Sequence, residues 1–150
     1  MPVILRCTAR LPSRARQGVR RDALRLLRAL RLEGAELSLW LLGDRRMTQL
    51  NRRWRGRART TDVLSFAQRE GPRPRLHPEI LGDVAICLPQ ARRQARARGA
   101  TLQDELRVLL AHGLLHLLGY EHEDRPLREQ RRMWRRQEAL VRQLHRAGRS

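Results

Sequence analysis

The sequence predicts an α+β domain in which about five helices flank a small mixed sheet of four strands. Four short apolar runs have the composition of strands, and the stretches between them place apolar residues at helical spacing. Strands and helices do not alternate strictly along the chain, which favours a mixed over a purely parallel sheet. A length of 150 residues fits one domain over 1–150.

The strands follow from apolar runs bounded by turn residues. In the second run, leucines alternate on one face, and Trp40 on the other face indicates that helices cover both sides of the sheet. The predicted strands are 3–7, 36–42, 61–66 and 80–87.

The helices are bounded by capping residues. Asp44 is expected to be the N-cap of a short helix and Thr101, with Asp104, to cap a longer one. Gly99 and Gly119 have the residue type that ends helices. The predicted helices cover about 14–31, a short segment after Asp44, 90–98, a segment from Thr101 to the histidines, and a last segment from Pro126. Basic residues 51–57 and proline-rich residues 68–79 are predicted as loops.

The charge indicates a polyanionic partner. All 33 basic residues are arginine, against 15 acidic residues, and the net charge is +18. A bias for arginine explains the absence of lysine but not the twofold excess of basic residues. RNA or a ribonucleoprotein is the first candidate partner. A membrane surface is not expected, because no helix combines a basic with a bulky aromatic face.

Composition favours a cytoplasmic protein. No apolar run approaches the roughly 20 residues that cross a bilayer, and the first residues do not resemble a signal peptide. Cys7 and Cys87 lie in apolar stretches and are expected to be small core residues, not a disulfide.

Three histidines in a leucine-rich segment predict a metal site at the end of a helix. His112 and His116 are four residues apart, so they lie about 40° apart in rotation and about 6 Å apart along a helix axis. Gly119 then allows a turn that returns His122 as a third ligand. Three imidazoles leave the fourth position of a tetrahedral zinc open, which is typical of catalytic sites.

The histidine spacing, including Gly119, is also that of the metzincin proteases. Their general-base glutamate corresponds to Gly113 here, which argues against peptide hydrolysis by the usual route.

Several ordered blocks resemble the YbeY family of bacterial rRNA-maturation endoribonucleases. They are Leu50-Asn51, Trp54-Arg55-Gly56, the run 61–66, Leu81-Gly82-Asp83-Val84, the histidine block 112–122, and Met133 with Gln137-Glu138. Trp54 replaces the usual tyrosine, Thr60 and Ala67 replace usual prolines, and Glu121 replaces the aspartate before the third histidine.

The resemblance implies a zinc-dependent, single-strand-preferring endoribonuclease that acts in 16S rRNA 3′-end processing and ribosome quality control. It implies one Zn²⁺ per chain on His112, His116 and His122, and a phosphate-binding catalytic role for Arg55. It implies RNA, as rRNA or ribosomal particles, as substrate, with ribosomal or GTPase proteins as candidate partners.

The remaining residues have two interpretations each. Glu121, Glu123 and Asp124 could orient a histidine ligand or be exposed at a helix end. Trp54 could stack on a base or simply pack. His77 and His145 are expected to be surface residues.

Two other functions stay open. The chain could be a metzincin-like metallohydrolase, or a non-catalytic ribosome- or RNA-binding module whose metal is structural. Because an endoribonuclease also binds RNA, RNA binding alone does not distinguish it from the non-catalytic binding module.

Overall fold

A computed structural model of the chain describes residues 3–67, 80–119 and 126–148. Nine elements follow one another in these residues: β1 (Val3–Cys7), α1 (Ser13–Ala29), β2 (Glu36–Leu42), α2 (Asp44–Arg55), β3 (Val63–Ala67), β4 (Ile80–Cys87), α3 (Leu88–Arg98), α4 (Leu102–Leu117) and α5 (Leu127–Gly148).

The four strands form one mixed sheet in the order β1-β2-β4-β3. β1, β2 and β4 are parallel, whereas β3 runs antiparallel to β4 and forms an edge of the sheet. The predicted α+β class with a mixed four-stranded sheet and five helices is therefore confirmed. The predicted loop 68–79 lies outside the described residues.

The sheet buries side chains on both faces. The larger core joins one face to α1, α4 and α5, and α4 contacts both β3 and β4. A smaller core lies under α2 on the other face, where Met47 packs near Leu64 and Cys87. Leucines on one face of β2, with Trp40 and Leu42 on the other, already predict this two-sided cover.

Helix α4 begins at a capping box and is followed by a glycine in a left-handed conformation. The Thr101 hydroxyl accepts a hydrogen bond from the Asp104 amide, and the Asp104 carboxylate accepts one from the Thr101 amide, which confirms the predicted capping box. The helix ends at Leu117, and Gly119 follows with a φ of 94°, a left-handed conformation that favours glycine. The predicted turn after the second histidine is thus present.

Helix α2 differs from the prediction at both ends. Gly43 is the N-cap and Asp44 is the first helical residue, so the prediction of Asp44 as N-cap is wrong by one position. The helix continues to Arg55, so most of the predicted loop 51–57 is helical. Arginine is a good helix former, which explains why a run of charges did not interrupt the helix.

The Asp44 carboxylate forms a salt bridge with Arg93 of α3 instead of capping α2. The distance between Arg93 Nη2 and Asp44 Oδ1 is 2.8 Å. This hydrogen bond from Arg93 lowers the pKa of Asp44 below its ordinary 3.8. The salt bridge therefore joins the start of α2 to α3.

The two cysteines are free thiols, as predicted. Cys87 is fully buried, and this burial raises the pKa of its thiol. In the described part of the chain, no helix combines the length and the apolar character that a membrane span needs.

Candidate metal centre and active site

His112 and His116 lie side by side on the last two turns of α4. Their ring centroids are 4.5 Å apart and their planes are inclined by 53°. Both side chains are half-buried, on a helix whose neighbouring leucines fill the core. The predicted pairing of the two imidazoles on one side of the helix is therefore present.

Gln137 of α5 fixes the orientation of the His112 ring. The His112 Nδ1 and the Gln137 Oε1 are 2.9 Å apart, so an Nδ1–H donates to the amide oxygen. Gln137 is itself buried, with 5% of its surface exposed. In this tautomer the proton is on Nδ1 and the Nε2 of His112 carries a lone pair, which is the form that metal-binding histidines commonly take.

Sequence reasoning missed Gln137 as an orienting residue. It considered Glu121, Glu123 and Asp124 either for that role or as exposed residues at a helix end, and all three lie outside the described residues. The third predicted ligand, His122, also lies outside them, and so does His77. Within the described residues no group of three or more metal-binding side chains is found. The roles of His112, His116 and His122 as zinc ligands stay predictions.

Gly113 packs α4 directly against the sheet. A Cβ on this residue would lie 2.8 Å from Val84 Cγ1 and 3.2 Å from Ser65 Oγ. The Ser65 hydroxyl donates a hydrogen bond of 3.0 Å to the Gly113 carbonyl oxygen. A glutamate of the metzincin type has no room here, because its Cβ would already overlap the side chain of β4.

Trp54, the neighbour of Arg55 at the end of α2, lies on the opposite side of β3 from α4. Ser65 of β3 points toward α4, whereas the next residue, Phe66, contacts Trp54 at a centroid distance of 5.5 Å. Successive side chains of a strand point to opposite faces, so α4 and the end of α2 flank the same edge strand. The catalytic role of Arg55 stays a prediction.

The end of α2 presents a dense positive charge. Gly56 ends the helix with a φ of 67°, and the buried Asn51 then donates a hydrogen bond of 2.9 Å to the Arg59 carbonyl oxygen. This bond holds the loop that follows α2 against the helix. The basic side chains of this segment are exposed, and they are Arg52, Arg53, Arg55, Arg57 and Arg59.

Trp54 is 59% exposed although it contacts Phe66. The Arg53 guanidinium lies 5.7 Å from the centre of the Trp54 ring. An exposed ring with a cation over it can stack on a base, so the structure keeps both interpretations of Trp54.

His145 differs from its prediction as a surface residue. It is half-buried on α5, and its Nδ1 lies 3.3 Å from Arg107 Nη1. It lies near the end of α5, eight residues beyond Gln137, so it belongs to a different cluster from His112.

Comparisons with known proteins show the family of the chain. The family model described as Endoribonuclease YbeY matches residues 9–145. The chain belongs to the YbeY family. An Endoribonuclease YbeY of Myxococcus xanthus is 50% identical over 112 residues, which cover 75% of this chain and 37% of that protein. One of Anaeromyxobacter dehalogenans is 47% identical over 123 residues, covering 81% of this chain and 62% of the relative.

The chain therefore covers less than two thirds of the length of these two curated relatives. One of Thermus thermophilus is 47% identical over 105 residues, covering 70% of this chain and 75% of the relative. Among solved structures, a solution structure of a Thermotoga maritima protein has a TM-score of 0.69 at 21% identity, with 98% of this chain and 91% of that chain covered. That likeness supports the fold.

Proposed function

We propose that this YbeY-family chain is a metal-dependent endoribonuclease that cleaves single-stranded RNA during rRNA maturation. The observation that carries the proposal is the pair of adjacent imidazoles on α4, of which His112 is oriented through its Nδ1 by Gln137. Processing of the 16S rRNA 3′ end and ribosome quality control are the finer roles that the family resemblance implies.

One Zn²⁺ per chain fits the residues that are present. His112 and His116 would hold it through ring nitrogens, and His122 would complete the set after the turn at Gly119. The hydrogen bond to Gln137 supports this fit, because it selects the His112 tautomer whose second nitrogen is a lone-pair donor. When bound, zinc supplies a Lewis acid that polarises a phosphoryl oxygen and lowers the pKa of water.

Arg55 is proposed to bind the phosphate next to the cleaved bond. A guanidinium matches two phosphate oxygens in a fork, and the cleavage transition state gathers charge on such oxygens. Because α4 with its histidines and the end of α2 with Arg55 flank β3, the RNA strand would cross this edge strand. The exposed arginines after Asn51 would hold the flanking phosphates.

A preference for single strands follows from the same surface. Trp54 offers an exposed ring for stacking, and an unpaired base can reach it whereas a base inside a duplex cannot. The net charge of +18 supports RNA, as rRNA or ribosomal particles, as the partner. Ribosomal or GTPase proteins are proposed as further partners on the family resemblance alone.

The structure disfavours the protease alternative at one residue. Gly113 occupies the position of the metzincin general base, and its contact with Val84 leaves no space for a side chain. The third alternative, a binding module with a structural metal, predicts that RNA binds but is not cleaved.

The proposal is tested by RNA cleavage and zinc content measured on the same samples. We expect His116→Ala to lose zinc and cleavage together, and Arg55→Ala to keep zinc and lose cleavage. His77→Ala is the control for the first, because it lies outside the histidine motif. Arg45→Ala is the control for the second, because Arg45 is an exposed arginine of the same helix. Equal cleavage by all variants would indicate a contaminating ribonuclease and refute the proposal.

A further inference from the structure

A polar cavity lies near the start of α4, away from the histidines at the end of this helix. Its volume is about 290 Å³, and it is enclosed by α1, the start of α4 and the end of α5. Gln103 and Arg107 line it, nine and five residues before His112 and so roughly 14 and 8 Å from it along the helix axis, and neither histidine lines it. The cavity is therefore separate from the candidate metal centre.

Arg107 forms the inner wall of this cavity and is 7% exposed. Its Nε donates a hydrogen bond of 3.0 Å to Asp22 Oδ2, and Asp22 is 3% exposed. Replacing a buried ion pair of this kind by apolar residues is often neutral or stabilising. Stabilisation of the fold is thus a weak explanation for a buried arginine at position 107. Binding of an anionic ligand by its guanidinium explains the residue better.

His145 holds the same guanidinium from the side of α5. Arg107 Nη1 lies 3.3 Å from His145 Nδ1, so the imidazole accepts a hydrogen bond when Nδ1 carries no proton. Asp104 Oδ1 is 3.7 Å from the same nitrogen. With Asp22 on one side and His145 on the other, the plane of the Arg107 guanidinium is fixed before any ligand binds.

The cavity carries an excess of positive charge. Arg21 and Arg25 of α1 line it together with Arg107, against one lining carboxylate, that of Asp22. Both oxygens of this carboxylate are already engaged, because Arg25 Nη1 lies 3.8 Å from Oδ1 and Arg107 binds Oδ2. Three guanidinium groups thus share one carboxylate at this cavity, so a multiply charged anion would be attracted to it.

Glycines keep the cavity open at two points. A Cβ at Gly148 would lie 2.9 Å from Arg107 Nη2, so a side chain there would meet the guanidinium. Gly18 lies on the floor inside α1, where glycine costs a helix about 1 kcal/mol relative to alanine.

We propose that the cavity between Arg21, Arg25 and Arg107 binds a phosphate group. Guanidinium forks match phosphate oxygens, and the Gln103 amide adds a neutral donor at the same wall. The phosphate could come from an RNA backbone that continues past the metal centre or from a free phosphate ion or ester. Both sources share this chemistry, and the site does not depend on the proposed cleavage activity.

The test is an NMR titration of the full-length protein labelled with ¹⁵N, with inorganic phosphate as the probe. We expect shifts of the Gly18, Gln103 and Gly148 amides beyond those that chloride causes at equal ionic strength. In the double variant Arg21→Ala/Arg25→Ala the affinity for phosphate is expected to fall by roughly tenfold or more. Arg107→Ala is avoided, because it would leave the Asp22 carboxylate buried without its main partner.

The matched control is Arg14→Ala/Arg16→Ala, which removes two exposed arginines of the same helix outside the cavity. This control should keep the wild-type affinity. A single-stranded 2′-O-methyl RNA without a terminal phosphate forms the second arm. If it displaces phosphate from these amides, the source is the RNA backbone; if it does not, the site takes free phosphate.

No shift beyond the chloride effect, or equal affinity in the two double variants, would overturn the proposal. The readout is amide shifts and not RNA cleavage. Phosphate binding at this cavity can therefore be shown or refuted whether or not the protein cleaves RNA. Likewise, cleavage can be shown or refuted whether or not the cavity binds phosphate.

Discussion

Adding one methyl group at Gly113 tests how closely α4 is packed on the sheet. Gly113→Ala places a Cβ 2.8 Å from Val84 Cγ1. Val84 is fully buried in a central strand and β-branched, so its χ1 cannot rotate away at low cost. The new methyl would also lie 3.2 Å from Ser65 Oγ and disturb its hydrogen bond to the Gly113 carbonyl.

Two costs and one gain set the size of the change in the free energy of unfolding. Overpacking a filled core costs about 1–3 kcal/mol. Replacing glycine by alanine inside a helix contributes about 1 kcal/mol of stability in return. The hydrogen bond from Ser65 adds about 1 kcal/mol to the cost where it is lost. We therefore expect Gly113→Ala to lower the free energy of unfolding by roughly 1–3 kcal/mol.

The matched control is Gly18→Ala, a buried glycine in the interior of α1. Its Cβ would lie 3.7 Å from Gln103 Nε2 and 3.9 Å from Arg21 Nη2, which are ordinary contacts. Only the helix-propensity term applies there, so we expect a gain of about 0.5–1 kcal/mol. Urea unfolding followed by far-UV circular dichroism measures both, with the slope m checked for constancy. A Gly113→Ala protein as stable as wild type would refute the reasoning about the α4 contact.

Three further predictions follow from single contacts. Gln137→Leu should weaken zinc binding by roughly 10–100-fold, because His112 loses the acceptor that orients its ring. The control Gln143→Leu, on the exposed side of α5, should keep the wild-type affinity for zinc. Competition with a chelating dye measures the zinc affinity of both variants. Asp44→Asn should destabilise the protein at neutral pH. Because Arg93 lowers the pKa of Asp44, the salt bridge stabilises the fold above pH 3.8 and its contribution disappears as the pH falls through the lowered value. The stability gap between the variant and wild type should thus shrink in acid, and a gap that stays constant would contradict the salt-bridge argument. Gly82→Ala should cost more than about 3 kcal/mol and yield little folded protein, because its φ is 146° and a Cβ would lie 2.4 Å from the Phe66 carbonyl oxygen. A soluble Gly82→Ala protein with wild-type unfolding would contradict that geometry.

Most elements of the fold could be predicted because their apolar residues repeat with the period of a helix or a strand. β2 and α4 are the clearest cases, and the Thr101 cap marks the start of α4 within one residue. The end of α2 was harder, since Asn51 to Arg55 carry no apolar stripe and yet arginine favours the helix. The error at Asp44 has a similar origin, because Arg93 on a distant helix competes for its carboxylate.

The candidate site was predictable only where its residues are close in sequence. His112, His116 and His122 stand out through their spacing, and the family resemblance adds Arg55. Gln137 is separated from His112 by 25 residues, and nothing in its own neighbourhood distinguishes an orienting amide from a surface one. Asp22 and Arg107 form an ion pair although they are 85 positions apart. With 33 arginines in the chain, the sequence does not indicate which one pairs with Asp22.

The measurement that tests the central claim most directly is restoration of RNA cleavage by zinc. Wild type is treated with a chelator, its fold is checked by circular dichroism, and cleavage of a single-stranded RNA is followed before and after zinc is returned. We expect the chelated protein to stay folded without cleaving, zinc to restore cleavage, and His116→Ala to stay inactive after the same addition. Cleavage by the chelated protein, or restoration of His116→Ala by zinc, would contradict a catalytic metal on these histidines.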